Sequence, residues 1–487
     1  MGCKGPPSLN VLNVAHGVTH RFRWVFCQLD TLRRCMAASI RQALNELPAS
    51  LDETYEQILQ SIPLQKREHA HRLFQCLIAS SRPLKVQELA EIFAIRFDSR
   101  IPTRFEESWR LEDAEDAVLS TCSSLVSVVK VEDSQIVQFS HFSVKEFLTS
   151  DRLATSTAPN IRYFHAPLES AHTILVQACL AVLLQLDEKV DRKRIEDLPL
   201  VMYAIQHWVD HARFKDVELQ IQDRIELLFD LTRPHFAAWT WIYGENGWGC
   251  RSVTELEEHP LPPRAPPLYY AALCGLTWTT KQLVVARRQD IDPEGGWHGT
   301  PMCAALAMGH LELARFLLEH GANVDAKEGT GNTPLYSFSW NGPVEVIRLL
   351  LDFGADANVC DVQVPDVTAL HAAALKGQHE VARALLQHNA EVDARDGDDL
   401  TPLHHASRKG HVEVVRLLIE HGANVNAQGR SWGTPLRVAL EEEKFEVVQL
   451  LRARGAVNLP TRHEVETMRG LSEIAQLLAQ KSGAMEE

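Results

Sequence analysis

No Gly-Lys-Ser or Gly-Lys-Thr occurs anywhere in these 487 residues. A phosphate-binding loop needs that ending, since backbone N–H groups cradle the phosphates and the hydroxyl holds magnesium, so the chain is expected to carry no nucleotide-binding core and no cofactor. The ten cysteines are scattered and none forms a Cys-x-x-Cys pair, which argues against a zinc site or a disulfide framework and reads as reduced core residues of an intracellular protein. Long apolar runs are also missing. The longest, from Ile174 to Leu186, is interrupted by Gln177 and Gln185 and is too short to span a bilayer, so it reads as a buried helix. No apolar segment follows the polar, Pro-containing first residues as a secretory leader would require, and Met1-Gly2-Cys3 meets Pro6 where a myristoylation signal needs Ser or Thr. These absences together predict a soluble cytoplasmic chain with no membrane partner.

What is present is ordinary in amount, with 45% hydrophobic and 23% charged residues, and the length suggests two to four domains. The charge is less ordinary. The formal net charge is −15, and residues 300–487 hold 26 acidic against 17 basic side chains. Such a surface repels nucleic-acid phosphates and anionic lipid, and favours a basic or neutral protein partner.

One phrase recurs: Thr300-Pro301-Met302, Thr333-Pro334-Leu335, Thr368-Ala369-Leu370, Thr401-Pro402-Leu403 and Thr434-Pro435-Leu436 start 33, 35, 33 and 33 residues apart. Gly321, Gly354, Asn389, Gly422 and Gly455 keep the same beat. The phrase opens a helix, with Thr accepting from backbone donors and Pro at the first turn, where no N–H is needed. A second helix follows, with Val412, Val415, Leu417, Leu418 and Ile419 at helical spacing, and closes where a left-handed residue is tolerated. At this period the phrase resembles the ankyrin repeat, whose units cannot bury their apolar faces alone and therefore stack. The resemblance implies an extended binding surface in place of a pocket. It also implies that the histidine of each phrase bonds loop backbone between units, a structural role for His404 and its neighbours His405 and His411.

A second resemblance lies upstream. The segments Phe26-Cys27-Gln28-Leu29-Asp30-Thr31-Leu32-Arg33, Leu47-Pro48-Ala49-Ser50-Leu51-Asp52-Glu53-Thr54-Tyr55 and Phe139-Ser140-His141-Phe142-Ser143-Val144-Lys145-Glu146-Phe147-Leu148 resemble those that follow the nucleotide-binding core of fungal NACHT–ankyrin proteins, NLR-like signal-transduction ATPases of the STAND type. Between them, a β-rich pair, Leu125 to Val131 and Ile136 to Phe139, follows three helices and suggests a winged helix. The expected fold is mainly α, a winged-helix-containing helical region followed by an ankyrin-repeat solenoid. The expected order is a lead-in (1–19), a helical segment resembling the region after a NACHT core (20–82), the winged helix (83–150), a helical spacer (151–235), a Trp/Gly/Pro-rich junction (236–265), a degenerate first repeat (266–299), five repeats (300–457), and a capping helix with a tail (458–487).

Candidate chemistry is sparse. His207 and His211 stand four apart, but Trp208 occupies the place where a zinc hydrolase needs Glu. Asp396, Asp398 and Asp399 lack the closing carboxylate of a calcium loop, since Ser407 stands at the twelfth position, and they read as an exposed loop tip. The winged-helix region holds seven basic and twelve acidic residues and no basic recognition helix, which disfavours DNA. The expected function is therefore non-enzymatic protein–protein interaction in NLR-like signalling, with an intact NACHT-type relative as one partner. Two alternatives stay open: a fragment of a NACHT-type ATPase whose phosphate-binding core lies upstream, and a DNA-binding regulator acting through the winged helix. The candidate contacts are loop tips and inner-helix aromatics: Lys327, Glu328, Asp361, Gln363, Arg395, Asp396, Arg430 and Trp432, with Tyr336, Phe338 and Trp340. The last three stand in a unit where its neighbours have small residues. Phe338 is equally a residue that fills the stack.

Overall fold

The computed structural model describes residues 50–98, 101–110, 113–122, 124–131, 134–244, 260–287, 290–360 and 366–458. The chain divides into two compact units, Met1–Pro263 and Arg264–Glu487. Residues 20–49 of the expected helical segment 20–82, the loop residues Asp361 and Gln363, and residues 459–487 of the expected capping helix and tail lie outside the described residues.

In the first unit, α1 (Leu51–Ser61) begins at Ser50, whose hydroxyl accepts the Glu53 N–H. Then come α2 (Arg67–Ala79), β1 (Leu84–Lys85), α3 (Val86–Phe93), β2 (Ile95–Asp98), β3 (Ile101–Phe105), α4 (Ala114–Cys122), β4 (Val126–Val131), β5 (Ser134–Phe139) and α5 (Phe142–Leu148). The sheet order β1-β5-β4 is that of a winged helix, with Leu84 opposite Val137 and Val126 opposite Phe139. Sequence reasoning placed Ser134 and Gln135 in the turn. The structure pairs them with Val131 and Lys130, so only residues 132–133 separate the strands. The β2–β3 hairpin was not anticipated, although Ile95-Arg96-Phe97-Asp98 alternates as a strand should. Two of the resembling phrases meet in space: the Tyr55 hydroxyl lies 2.8 Å from Ser143 Oγ, and its ring lies 5.4 Å from that of Phe147.

Behind this layer, α6 (Leu168–Leu183) packs on α2 and on α7 (Pro199–Ala212), followed by α8 (Gln222–Leu228) and α9 (Pro234–Tyr243). The apolar run from Ile174 is the buried part of α6, and among the described residues no helix is long and apolar enough to cross a membrane. The Trp-rich stretch is not all junction, because α9 buries Trp239 and Trp241 in this unit, with the Trp239 ring 5.7 Å from Trp208. His207 and His211 part company too. His211 is buried between the Tyr203 hydroxyl at 2.9 Å and His172 at 3.0 Å, while His207 bonds Asp210.

The second unit is a run of helix pairs: α10 (Pro267–Cys274) with α11 (Thr277–Lys281), α12 (Pro301–Ala307) with α13 (Leu311–Glu319), α14 (Pro334–Asn341) with α15 (Val344–Asp352), α16 (Ala369–Lys376) with α17 (His379–Gln387), α18 (Pro402–Lys409) with α19 (Val412–Glu420), and α20 (Pro435–Glu441) with α21 (Phe445–Ala453). Each outer helix buries one apolar stripe, as α19 does with Val414, Val415, Leu417 and Leu418. A fully buried side chain of this kind is worth about 1.5–3 kcal/mol, and all five repeats feed one continuous core. Asn389 closes α17 with φ 64°, in the left-handed slot that Gly354 and Gly422 fill in their own units.

Candidate protein-binding surface

The polar side chains of the repeat phrase are committed to holding the stack. His371 Nδ1 accepts the Thr368 N–H at 3.1 Å, so its proton sits on Nε2, which donates to Leu400 O at 3.1 Å in the next unit. His404 repeats this one unit on, from the Thr401 N–H at 3.0 Å to Gly433 O at 3.0 Å. Burial lowers both imidazoles to about 4, which keeps them neutral. A second ladder joins the loops: Asp292 accepts from Asn323 N, Asp325 from Asp356 N, Asn358 from Glu391 N, Asp393 from Asn424 N, and Asn426 from Val457 N.

His371, Asp396 and His405 bring ligand atoms within 4.8 Å of one another, a grouping that could suggest a metal. The hydrogen bonding speaks against it. Both His371 nitrogens are engaged, and a cation on Nε2 would strip the buried Leu400 carbonyl of its donor. Asp396 is spent on its own loop, accepting from Asp398 N, Leu400 N and His405 Nε2. Burial pushes its carboxyl up, but the His405 bond and the two N–H groups outweigh that and hold it below the usual range. Asp396 is thus not an exposed tip: it is 8% exposed and braces the loop from within.

The other candidates divide between frame and surface. Tyr336 is buried at 2% exposure, and Phe338 is half-buried against the common core. Glu328 is half-buried and accepts from the Ser337 hydroxyl at 2.8 Å, and burial raises its carboxyl. Arg395 is exposed but ties two loops, donating to Asp399 O and Gln428 O. Arg430 is exposed, 3.5 Å from Asp399, and Lys327 is exposed. Trp340 and Trp432 are half-buried, and each faces a cation: Lys376 Nζ sits 5.4 Å from the Trp340 ring, and the Arg408 guanidinium 5.5 Å from Trp432. Sequence reasoning missed Lys376, Arg408 and the 61%-exposed Trp297. Trp297 stands three residues before Thr300, as Trp432 stands two before Thr434, and that offset was a usable signal.

Family models place this geometry. Ankyrin repeats match in three copies, at residues 268–361, 340–429 and 370–461, and the winged-helix domain of GPI inositol-deacylase matches residues 55–160. The chain carries ankyrin repeats and a winged-helix domain. Its repeats form a protein-binding module. A curated relative, the azaphilone pigments biosynthesis cluster protein L of Monascus ruber, is 30% identical over 295 residues, 58% of this chain. The chain covers 61% of that relative's length. A solved ankyrin repeat domain from Acinetobacter baumannii is 28% identical over 39% of this chain and 98% of that one, with a TM-score of 0.37.

Proposed function

We propose that the chain is a non-enzymatic, intracellular interaction module, capturing a protein partner on the inner helices and loop tips of its ankyrin repeats within NLR-like signalling. One observation carries this reading. The buried polar groups of the repeats are used to join units, whereas Trp340 and Trp432, each paired with a cation, remain open to a partner. Half-buried indoles flanked by cations are the side chains that commonly dominate interfaces. The winged-helix match and the phrases that resemble NACHT–ankyrin proteins support a docking role for the first unit toward a nucleotide-switch relative. The same two features support the alternative of a NACHT-type ATPase fragment, which an in-frame phosphate-binding loop upstream in the transcript would establish.

Exposed carboxylates lie on the outer helices, at Glu345, Glu380, Glu413 and Glu420, and at the end of α20, at Glu441 to Glu443, so a basic partner would be drawn to those positions. Binding by the full chain, followed by Trp340→Ala and Trp432→Ala, tests the surface. Each substitution is expected to weaken capture by at least about 1–2 kcal/mol. Unchanged binding by both would remove it.

A further inference from the structure

Between Trp340 and Trp432 the inner face carries a sign opposite to that of the whole chain. Lys376 closes α16, and Arg408 and Lys409 close α18. The two lysines are exposed and the arginine is half-buried. Among the described residues none of the three meets a carboxylate, whereas Arg348 lies 3.3 Å from Glu380, Arg416 3.6 Å from Glu413, and Arg437 on α20 2.9 Å from Glu441. Lys376 and Arg408 instead lie over the rings of Trp340 and Trp432. Arg408 Nε is buried with no acceptor, and so is the hydroxyl of Ser407 beside it in the chain, with no partner.

The helix dipole favours a cation in a last turn, which accounts for one lysine in solvent. It does not account for stacking on indoles, nor for a guanidinium N–H withdrawn from water with nothing to bond. That Nε is sealed from an incoming partner, but the other N–H groups of the half-buried guanidinium and the two exposed ammonium groups are donors, and a carboxylate is the acceptor that also matches their charge. Glu441, which ends the neighbouring α20, is engaged by Arg437 at 2.9 Å, and the acidic charges farther than about 8 Å away are largely screened at physiological salt.

We propose that this face docks an acidic, extended segment of a protein partner, with its carboxylates on Lys376, Arg408 and Lys409 and its apolar side chains against Trp340 and Trp432. The inference rests on the reading of the inner face as the partner surface, and the test separates the two. Short randomised peptides displayed on phage are panned against the full chain. The selected peptides are then titrated by fluorescence anisotropy against the wild type, against Lys376→Glu/Lys409→Glu, whose sites are exposed and whose fold is checked by thermal melting, and against Trp340→Ala/Trp432→Ala. The expected result is enrichment of Asp and Glu, with affinity falling about tenfold in the lysine variant and weakening as salt rises. Peptides rich in Lys and Arg, or without charge bias, that still need the two tryptophans would overturn the acidic segment and leave the surface standing. Peptides indifferent to both variants, or no enrichment at all, would overturn both.

Discussion

Acidifying the solution should loosen the repeats, because two of their fastenings are imidazoles that must stay neutral. His371 and His404 fall from an ordinary 6.5 to about 4, chiefly through burial, with the neighbouring His405 adding to the effect in each. A base whose folded value is depressed leaves the unfolded state holding more protons between the two values. The stability is therefore fully present above pH 6.5, falls as pH drops toward 4, and levels below that. At pH 5 each histidine accounts for about 2 kcal/mol, so the pair removes about 4 kcal/mol as an upper figure. Urea unfolding at pH 7, 6 and 5 measures this, read by hydrogen exchange in peptides from α16 to α19. A global probe would mix in His71 at about 4 and His211 at about 3, both in the first unit. His371→Gln/His404→Gln should be weaker at pH 7 and nearly flat from 7 to 5. A native chain equally stable at both pH values, or a slope that survives in the double variant, would refute the clamp.

Glu91→Ala should destabilise the first unit by about 3 kcal/mol, since it leaves Arg110 without its 2.5 Å partner and the buried Leu200 N–H without its acceptor at 2.6 Å; a melting temperature equal to the wild type would contradict this. Gly299→Ala should cost more than about 1 kcal/mol, because φ is 84° and a Cβ would lie 2.4 Å from Lys327 O. Gly309→Ala, at φ 75° but facing open space, should cost less, and equal losses on melting would remove the steric argument. Amide exchange in α12 to α15 should outpace that in α16 to α19, and the reverse order would show that the stack is not weakest at its second repeat.

How much of this was legible depended on whether a signal repeats. The Thr-Pro-Leu phrase and its 33-residue beat placed five helix pairs, and even Asn389 in a left-handed turn, because each unit restates the same local chemistry. The β2–β3 hairpin and the burial of Trp239 had no second copy to confirm them. Asp396 was misread for another reason: a carboxylate in a loop looks solvated until the backbone N–H groups it serves are in place. Net charge says nothing of placement: that Lys376, Arg408 and Lys409 gather on two neighbouring inner helices, while Glu345, Glu380, Glu413 and Glu420 lie on outer ones, is a segregation that only the fold reveals.

That segregation coincides with a weakness. In the second repeat Tyr336 replaces the clamping histidine, and Phe338 stands where Ala305, Ala373, Ala406 and Ala439 let neighbouring inner helices approach. Neither α12 with α14 nor α13 with α15 packs as closely along the backbone as the corresponding pairs farther on. The hydrogen bonds agree. Thr333 Oγ1 is buried without a partner where the other four threonines cap their helices, and Cys303 offers only a thiol to Ala326 O at 3.5 Å where His371 and His404 offer N–H groups. The loop ladder is longest here as well, 3.4 Å from Asp356 N to Asp325 against 2.8 Å at Asn358. In a stack stabilised by nearest neighbours, a loose joint between the first and second repeats has to be offset by the others, and the second packs on the third as closely as later units do. Local rules are most often broken where a surface serves something other than the fold, and the unit that breaks them is the one that presents Trp340.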